Sequence, residues 1–385
     1  MKYIFPFDLV AVSPLSHILL NLCSKDDLLD LCEDYQIACS KSMNKTDLSN
    51  RIEATLLAYP EILARSLPLS DLQALKKIVD AGGVLQSKEP LLTVILEEQM
   101  LVVSPAESTA KGGKPERVFW YAIAKNLQLV LKPIIQKMVV DPKYKVMDKN
   151  EHLLLGLLRL YGLISEPTLR ELWEKTTKKP LDPYDLIQLF RTRIALKQEF
   201  TPFYTDNKLC FAPIILDFPS EYYEAIKKRS DLEYALYPVD VILSFADSPF
   251  FSNNQTALLS LIQWLNAKNN VDDMQVAFQL GLIWESIQTG EKMTELLKKI
   301  QEISPCDSSQ ELSELMQCLS DYSNYTPHWL LKGHTPSDLY AKKPLTCKTL
   351  ISVMLDATIP VLAEAVRSIR NVAEPTKKVG FTFFE

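Results

Sequence analysis

Apolar residues recur at helical spacing along most of the chain, and runs of β-branched and aromatic residues interrupt this pattern in two places. Near the start, the spacing predicts two short helices within residues 24–58, joined by an extended link. Ser24 is suited to cap the first helix, and Asn44 or Thr46 to open the second. From residue 219 the pattern is helical almost to the end. The predicted helices there span roughly 219–229, 255–268, 272–289, 291–303, 308–323 and 347–371.

The segment after residue 66 predicts two helices, a hairpin and a further helix. Ser70 is suited to cap the first helix, and Gly82-Gly83 to end it. The strand-like runs LVVSP and RVFWYAI flank the polar tip 106–116, which is the best candidate in the chain for local disorder. A helix over residues 126–139 follows.

The segment 147–218 predicts three helices followed by two strands that meet at Asp206-Asn207, which is the element order of a winged helix. In three-helix DNA-binding folds that contain a helix-turn-helix, the third helix enters the major groove. That helix would present Arg191, Arg193 and Lys197 to nucleic acid. The same fold also serves protein docking, so both interpretations stay open.

The predicted fold class is therefore mainly α with small β-hairpins, built from four modules. They are an N-terminal helical module (1–65), a first winged-helix-like unit (66–146), a second winged-helix-like unit (147–218) and a C-terminal helical domain (219–385).

The first module resembles the helix-extension-helix of SAP domains and of the N-terminal domain of Rho termination factors. The resemblance rests on Lys45-Thr46-Asp47-Leu48 followed by Arg51-Ile52, and it covers about 35 residues. It implies binding of DNA or RNA through the link and the start of the second helix, by Lys41, Ser42, Lys45 and Arg51. Residues 24–58 carry four basic and seven acidic side chains, so a docking module without nucleic acid is the alternative.

Charge favours a second candidate surface. The net charge of −6 gives no global attraction for nucleic acid. Residues 111–146, however, contain eight basic and two acidic side chains. Lys132 and Lys137 on the predicted helix are its candidate nucleic-acid contacts, and a solvated basic face is the alternative.

A segment near the C-terminus resembles the N-x-T-x-x-W-x-x-x-G-H-T-P stretch of uncharacterised bacterial proteins, many of which carry a SEC-C zinc motif after it. The matching positions are Asn324, Thr326, Trp329, Gly333, His334, Thr335, Pro336 and Leu339. The same group often starts with a SAP-like module and has a Y-G-x-I segment, as Tyr161-Gly162-Leu163-Ile164 is here.

Two interpretations of this segment are open. His328, His334 and Asp338 could be ligands or acid–base groups. The favoured interpretation is a helix start, in which Thr335 caps, Pro336 is the first helical residue and Asp338 reaches back to free amides. The zinc motif is absent, since Cys347 is the only cysteine and no histidine occurs beyond residue 340. We therefore expect no metal and no cofactor.

No phosphate-binding loop, nucleophile elbow or zinc-protease motif occurs, so we do not expect an enzyme, although one of unknown reaction is a distant third possibility. Seven widely spaced cysteines indicate reduced thiols in a cytoplasmic protein. No apolar run is long enough for a membrane span. The sequence thus predicts a bacterial-type interaction protein that binds DNA or RNA, or alternatively a protein partner. It leaves the oligomeric state open.

Overall fold

A computed structural model of the chain describes residues 10–88, 91, 94–99, 101–103, 119–268 and 273–341. Within these ranges the chain is mainly helical with small antiparallel sheets, as the hydrophobic pattern predicts. None of the described helices is long and apolar enough to span a bilayer. The predicted tip 106–116, the predicted helix 347–371 and Cys347 lie outside the described residues.

The described part of the chain contains eighteen α-helices. They are α1 (Leu15–Leu22), α2 (Lys25–Asp34), α3 (Lys45–Ala58), α4 (Pro60–Ser66), α5 (Leu69–Asp80), α6 (Val94–Glu98), α7 (Lys125–Met138), α8 (Pro142–Tyr161), α9 (Glu166–Thr177), α10 (Pro183–Thr192), α11 (Ile194–Glu199), α12 (Pro219–Lys227), α13 (Val239–Asp247), α14 (Gln255–Lys268), α15 (Asp273–Thr289), α16 (Met293–Ile303), α17 (Ser309–Tyr325) and α18 (Pro336–Ala341). The strands are β1 (Val84–Ser87), β2 (Phe119–Ala122), β3 (Ile164–Ser165), β4 (Phe200–Thr205) and β5 (Lys208–Pro213).

The chain divides into two compact units. Unit 1 comprises Met1–Glu151 and Tyr184–Gln198, and unit 2 comprises His152–Pro183 and Glu199–Glu385. This division differs from the four predicted ranges, because α10 groups with unit 1 whereas the strands of the predicted second winged-helix-like unit group with unit 2. Helical periodicity predicts that an element buries one face, but it does not say which core receives that face.

Unit 1 has one hydrophobic core that runs through the first two predicted ranges. Helix α3 packs against α1 and α2, and α7 packs against α4 and α5. Leu28 and Leu48 from the first range and Leu72 and Leu127 from the second are fully buried members of the same cluster. The N-terminal module and the segment after it are therefore parts of one folded body.

The small sheet of unit 1 differs from the predicted hairpin. Strand β1 pairs antiparallel with β2, whereas Val103 of the predicted partner strand makes only an isolated bridge to Ala122. Gly82 and Gly83 end α5 with positive φ, as predicted, but the chain then enters β1 rather than a helix. The four residues of β1 are too few to show a strand period.

In unit 2, β3, β5 and β4 form a three-stranded antiparallel sheet in that order. The predicted two-residue turn between β4 and β5 is confirmed. Asp206 and Asn207 both have positive φ, which is the backbone of a type I′ turn. Helices α14, α15 and α17 pack together around Trp284 and Leu315 in a hydrophobic core of this unit.

Several helix boundaries differ from the predictions. Helix α5 begins at Leu69 after Pro68, not after Ser70. Helix α8 begins at Pro142, before the 147–218 segment in which the first of three helices was predicted. The third predicted helix of the 147–218 segment is broken at Arg193 into α10 and α11. Proline at a first helical position explains the early start of α8, because it needs no amide hydrogen there.

Candidate functional site

The Y-G-x-I and G-H-T-P segments pack against each other inside unit 2. Trp329 lies over Gly162, so closely that a Cβ atom at this glycine would come 2.3 Å from the indole ring. The indole Nε1 donates a hydrogen bond to the carbonyl of Arg159 at 2.8 Å. Gly333 lies in the same way against Tyr161, where an added Cβ atom would come 2.7 Å from the phenol ring. The two segments are therefore packed together in the core of unit 2.

The predicted helix start in the G-H-T-P segment is confirmed. The amide of Asp338 donates to Thr335 Oγ1 at 3.0 Å, and the Asp338 carboxylate accepts from the Thr335 amide at 3.4 Å. Pro336 is the first residue of α18. This reciprocal pair is a capping box, so these polar groups are occupied in holding the backbone.

The two histidines of this segment also contact the backbone. His328 Nε2 lies 2.9 Å from the Ser323 carbonyl, and His334 Nε2 lies 3.0 Å from the Glu233 carbonyl. Burial lowers the pKa of His328 and so favours the neutral ring. Among the described residues, no three His, Cys, Asp or Glu side chains are grouped so that they could hold a metal ion. Both histidines therefore contribute contacts to the fold of unit 2.

The two short helices predicted within residues 24–58 are present in unit 1 as α2 and α3. Ser24 and Asp27 form a capping box at the start of α2, with hydrogen bonds of 3.1 and 2.6 Å. Asn44 caps α3 by accepting from the Asp47 amide at 2.8 Å. The sequence left open whether Asn44 or Thr46 opens this helix, and the structure selects Asn44.

The predicted basic contacts of this module differ in their exposure to solvent. Lys41 and Arg51 are exposed, whereas Lys45 is half-buried. The ammonium of Lys25 donates to the Lys41 carbonyl at 2.7 Å, which holds the link against the start of α2. Acidic residues outnumber basic ones in these two helices and their link, so phosphate binding here would need the charges to be segregated.

Arg193 is fully buried in unit 1 at 0% exposure. Its Nε donates to Glu151 at 2.6 Å, and a second nitrogen of the guanidinium donates to the same carboxylate. The remaining donors reach the Arg65 carbonyl at 2.9 Å, the Tyr144 hydroxyl at 3.0 Å and Asp148 at 3.3 Å. All these partners belong to unit 1.

The prediction that Arg193 contacts nucleic acid is therefore wrong. Burial alone would lower its pKa, but the Glu151 carboxylate and the Tyr144 hydroxyl more than offset this and raise it. Burial raises the pKa of Tyr144 to about 12. The guanidinium is a permanently charged group inside the fold, and its contacts hold residues 184–198 in unit 1.

The other two candidates on this segment differ from each other. Arg191 has an exposed side chain, and its carbonyl accepts a hydrogen bond from the side-chain Nε2 of Gln36 at 2.7 Å. Lys197 is only 23% exposed, and its ammonium donates to the Asp34 carbonyl at 2.6 Å and pairs with the Asp34 carboxylate at 3.4 Å. Lys197 thus contributes mainly an internal contact, and Arg191 alone keeps a side chain accessible to a partner.

The predicted candidates Lys132 and Lys137 are both exposed on α7. Lys125 and Lys132 stand seven residues apart, so they share the face opposite the buried Leu127 and Leu131. Lys137 lies at the edge of that face.

Helix α8 extends this lysine-rich stretch. Its exposed positions within unit 1 include Lys143, Lys145 and Lys149. We define the lysine surface as Lys125, Lys132, Lys137, Lys143, Lys145 and Lys149. Lys149 lies outside the segment singled out from charge, although its spacing of four residues from Lys145 is a helical signal that could have found it.

The acidic groups near the lysine surface are already engaged. Asp141, the only acidic residue from 119 to 146, accepts from the Lys143 amide at 2.9 Å and so caps α8. A hydrogen bond from Lys76 lowers the pKa of Asp80, and Lys132 acts in the same direction. Asp80 therefore lies beside the surface as a carboxylate. Lys111, Lys114 and Arg117 of the charge-rich segment lie outside the described residues.

Comparison of the chain with family models, curated proteins and solved structures found no match. The resemblances to SAP domains and to the SEC-C-associated proteins stay predictions.

Proposed function

We propose that this chain is a binding protein that holds nucleic acid on the lysine surface of unit 1. One observation carries the proposal. Six exposed lysines occur within residues 125–149, on two consecutive helices. The two acidic side chains of this range are engaged, because Asp141 caps α8 and Asp148 accepts hydrogen bonds from the Leu69 amide and from Arg193. Such a surface neutralises phosphates, which is the main source of affinity in sequence-independent nucleic-acid binding.

The proposal keeps fewer nucleic-acid contacts than the sequence analysis predicted. Arg193 is left out, because its guanidinium is internal, and Lys197 adds little, because it is paired with Asp34. Lys41, Lys45, Arg51 and Arg191 belong to the same unit and are secondary contacts in this proposal. Lys132 and Lys137 become the residues on which binding depends most.

Reversing both charges with Lys132→Glu and Lys137→Glu is expected to weaken binding of a fluorescent 20-mer duplex roughly tenfold or more at low salt. The slope of log affinity against log salt should fall in magnitude by about 2, one for each lost phosphate contact. Fluorescence anisotropy over a salt series measures both quantities.

The matched control places the same charge change in unit 2. Lys292 and Lys298 are exposed on α16 and its start, and the double change to Glu there should leave the duplex affinity within about twofold. Equal losses in both double variants would mean that only net charge matters. If neither duplex nor single strand binds the unaltered protein at low salt, the proposal fails.

Docking of a protein is the second candidate, and three exposed aliphatic side chains favour it. Leu129, Val140 and Val146 are 71%, 67% and 60% exposed among the lysines. A duplex held through its phosphates tolerates Leu129→Ser and Val140→Ser. A protein partner that buries these side chains would lose affinity on the same changes.

The proposal includes no catalytic step, and a reducing, cytoplasmic location is part of it. The six cysteines in the described part of the chain are free. Burial raises the pKa of the Cys23 and Cys32 thiols to about 12, so both favour the protonated and less reactive form. Thiols of this kind suit a compartment that keeps cysteines reduced.

A further inference from the structure

The exposed side chains of residues 125–149 have a restricted chemistry. They are six lysines together with Leu129, Pro133, Gln136, Val140, Pro142 and Val146. No aromatic ring and no guanidinium stands at an exposed position of this stretch. The charge of the surface therefore comes entirely from ammonium groups on flexible stems.

This composition affects which form of nucleic acid the surface binds more tightly. Proteins that prefer single strands stack bases on aromatic rings, and each stacked base contributes about 1–3 kcal/mol. A duplex offers a higher charge density instead, about one charge per 1.7 Å of helix axis. A surface that has ammonium groups but no aromatic rings for stacking therefore favours the duplex, which has the higher charge density.

The same composition affects whether the surface can distinguish one base from another. Lysine binds phosphate as a point charge. In the major groove it can also contact guanine, but planar, two-bond recognition of bases relies on the forks of Arg, Asn and Gln. Gln136 is the one exposed amide side chain at positions 125–149, and it is hydrogen-bonded to Asp80. The surface thus presents phosphate-binding ammonium groups and, within this stretch, no exposed guanidinium or free exposed amide for planar recognition of bases.

We propose that the lysine surface binds the phosphate backbone of double-stranded nucleic acid without regard to base sequence. This inference rests on the proposed function and makes it more specific. Phosphate contacts position a protein on a duplex but carry no sequence information. The bound protein would accordingly occupy any duplex of sufficient length, and salt would release it in proportion to the phosphates it contacts.

The test compares four fluorescent probes with the full-length chain at about 50 mM salt, where phosphate contacts still contribute strongly. They are a mixed-sequence DNA duplex, a duplex with an unrelated sequence, one separated strand and an RNA duplex of the same length. We expect both DNA duplexes to bind within about threefold of each other and about tenfold tighter than the single strand. The RNA duplex also presents a phosphate backbone, so we expect it to bind more tightly than the single strand as well, and failure of the RNA duplex to bind would contradict the inference.

The outcomes separate this inference from the proposed function. Binding of the single strand as tightly as the duplex, or a preference of about tenfold for one duplex sequence, would overturn the inference and leave nucleic-acid binding in place. Absence of binding to all four probes would overturn both. The double change at Lys132 and Lys137 should reduce affinity for both DNA duplexes by the same factor, because neither lysine reads a base.

Discussion

Replacing Arg193 with alanine is expected to lower the free energy of unfolding by about 3–5 kcal/mol. The change removes the fully buried guanidinium and leaves the Glu151 carboxylate in the interior without its 2.6 Å partner. It also removes the contacts that tie residues 184–198 to the rest of unit 1. Urea unfolding followed by far-ultraviolet circular dichroism measures the loss.

Two control variants show whether the buried pair is the cause. Arg191→Ala removes a neighbouring exposed guanidinium and should change stability by less than about 0.5 kcal/mol. Replacing the pair together, by Arg193→Met and Glu151→Leu, should recover much of the loss because no charge is then left alone. A loss in Arg193→Ala no larger than in Arg191→Ala would contradict the internal role of Arg193.

The second large effect is expected where Gly162 packs against Trp329 in unit 2. Gly162→Ala should destabilise the protein by about 2–5 kcal/mol, since a left-handed alanine costs about 1–2 and overpacking adds about 1–3. Gly162 has φ of +65°, and its new methyl group would lie 2.3 Å from the Trp329 ring. Thermal or urea unfolding of the variant measures the sum of the two effects.

Gly82→Ala isolates the backbone contribution. Gly82 has φ of +85° and no atom within 4 Å of the added methyl group, so it bears the left-handed cost without the steric one. Its expected loss is about 1–2 kcal/mol. Equal losses at the two glycines would show that Trp329 does not pack as described.

Local features of the fold were predictable because their causes lie within a few residues. The capping box at Ser24, the Asp206-Asn207 turn and the cap at Thr335 each depend on side chains that reach only neighbouring amides. Helical periodicity likewise found most long helices. It did not find β1 and α4, where too few residues exist for a period to appear. It also did not find α13, which has nine residues.

Longer-range features could not be predicted in this way. Arg193 lies two residues from the exposed Arg191, and both look equally available along a helix. Burial of Arg193 is decided by Glu151, which is 42 residues away in the chain. The assignment of α10 to unit 1 and the contact between Gly162 and Trp329 depend on equally distant partners.

The candidate surface was predictable in part. The local excess of basic residues identified Lys132 and Lys137, since consecutive exposed positions of one or two helices stay neighbours after folding. Lys149 was missed because the charge-rich segment was ended before it. Among the sequence candidates on α10 and α11, only burial and pairing in the folded chain separate Arg191 from Arg193 and Lys197.

The central claim, that nucleic acid lies on the lysine surface, is tested most directly by chemical footprinting of lysine. The protein is acetylated with a water-soluble reagent with and without saturating duplex, and mass spectrometry reports each site. We expect duplex to lower the reactivity of Lys125, Lys132, Lys137, Lys143, Lys145 and Lys149, while Lys292 and Lys298 of unit 2 stay unchanged. Protection of unit 2, or unaltered reactivity of the six lysines in a protein that binds duplex, would contradict the account.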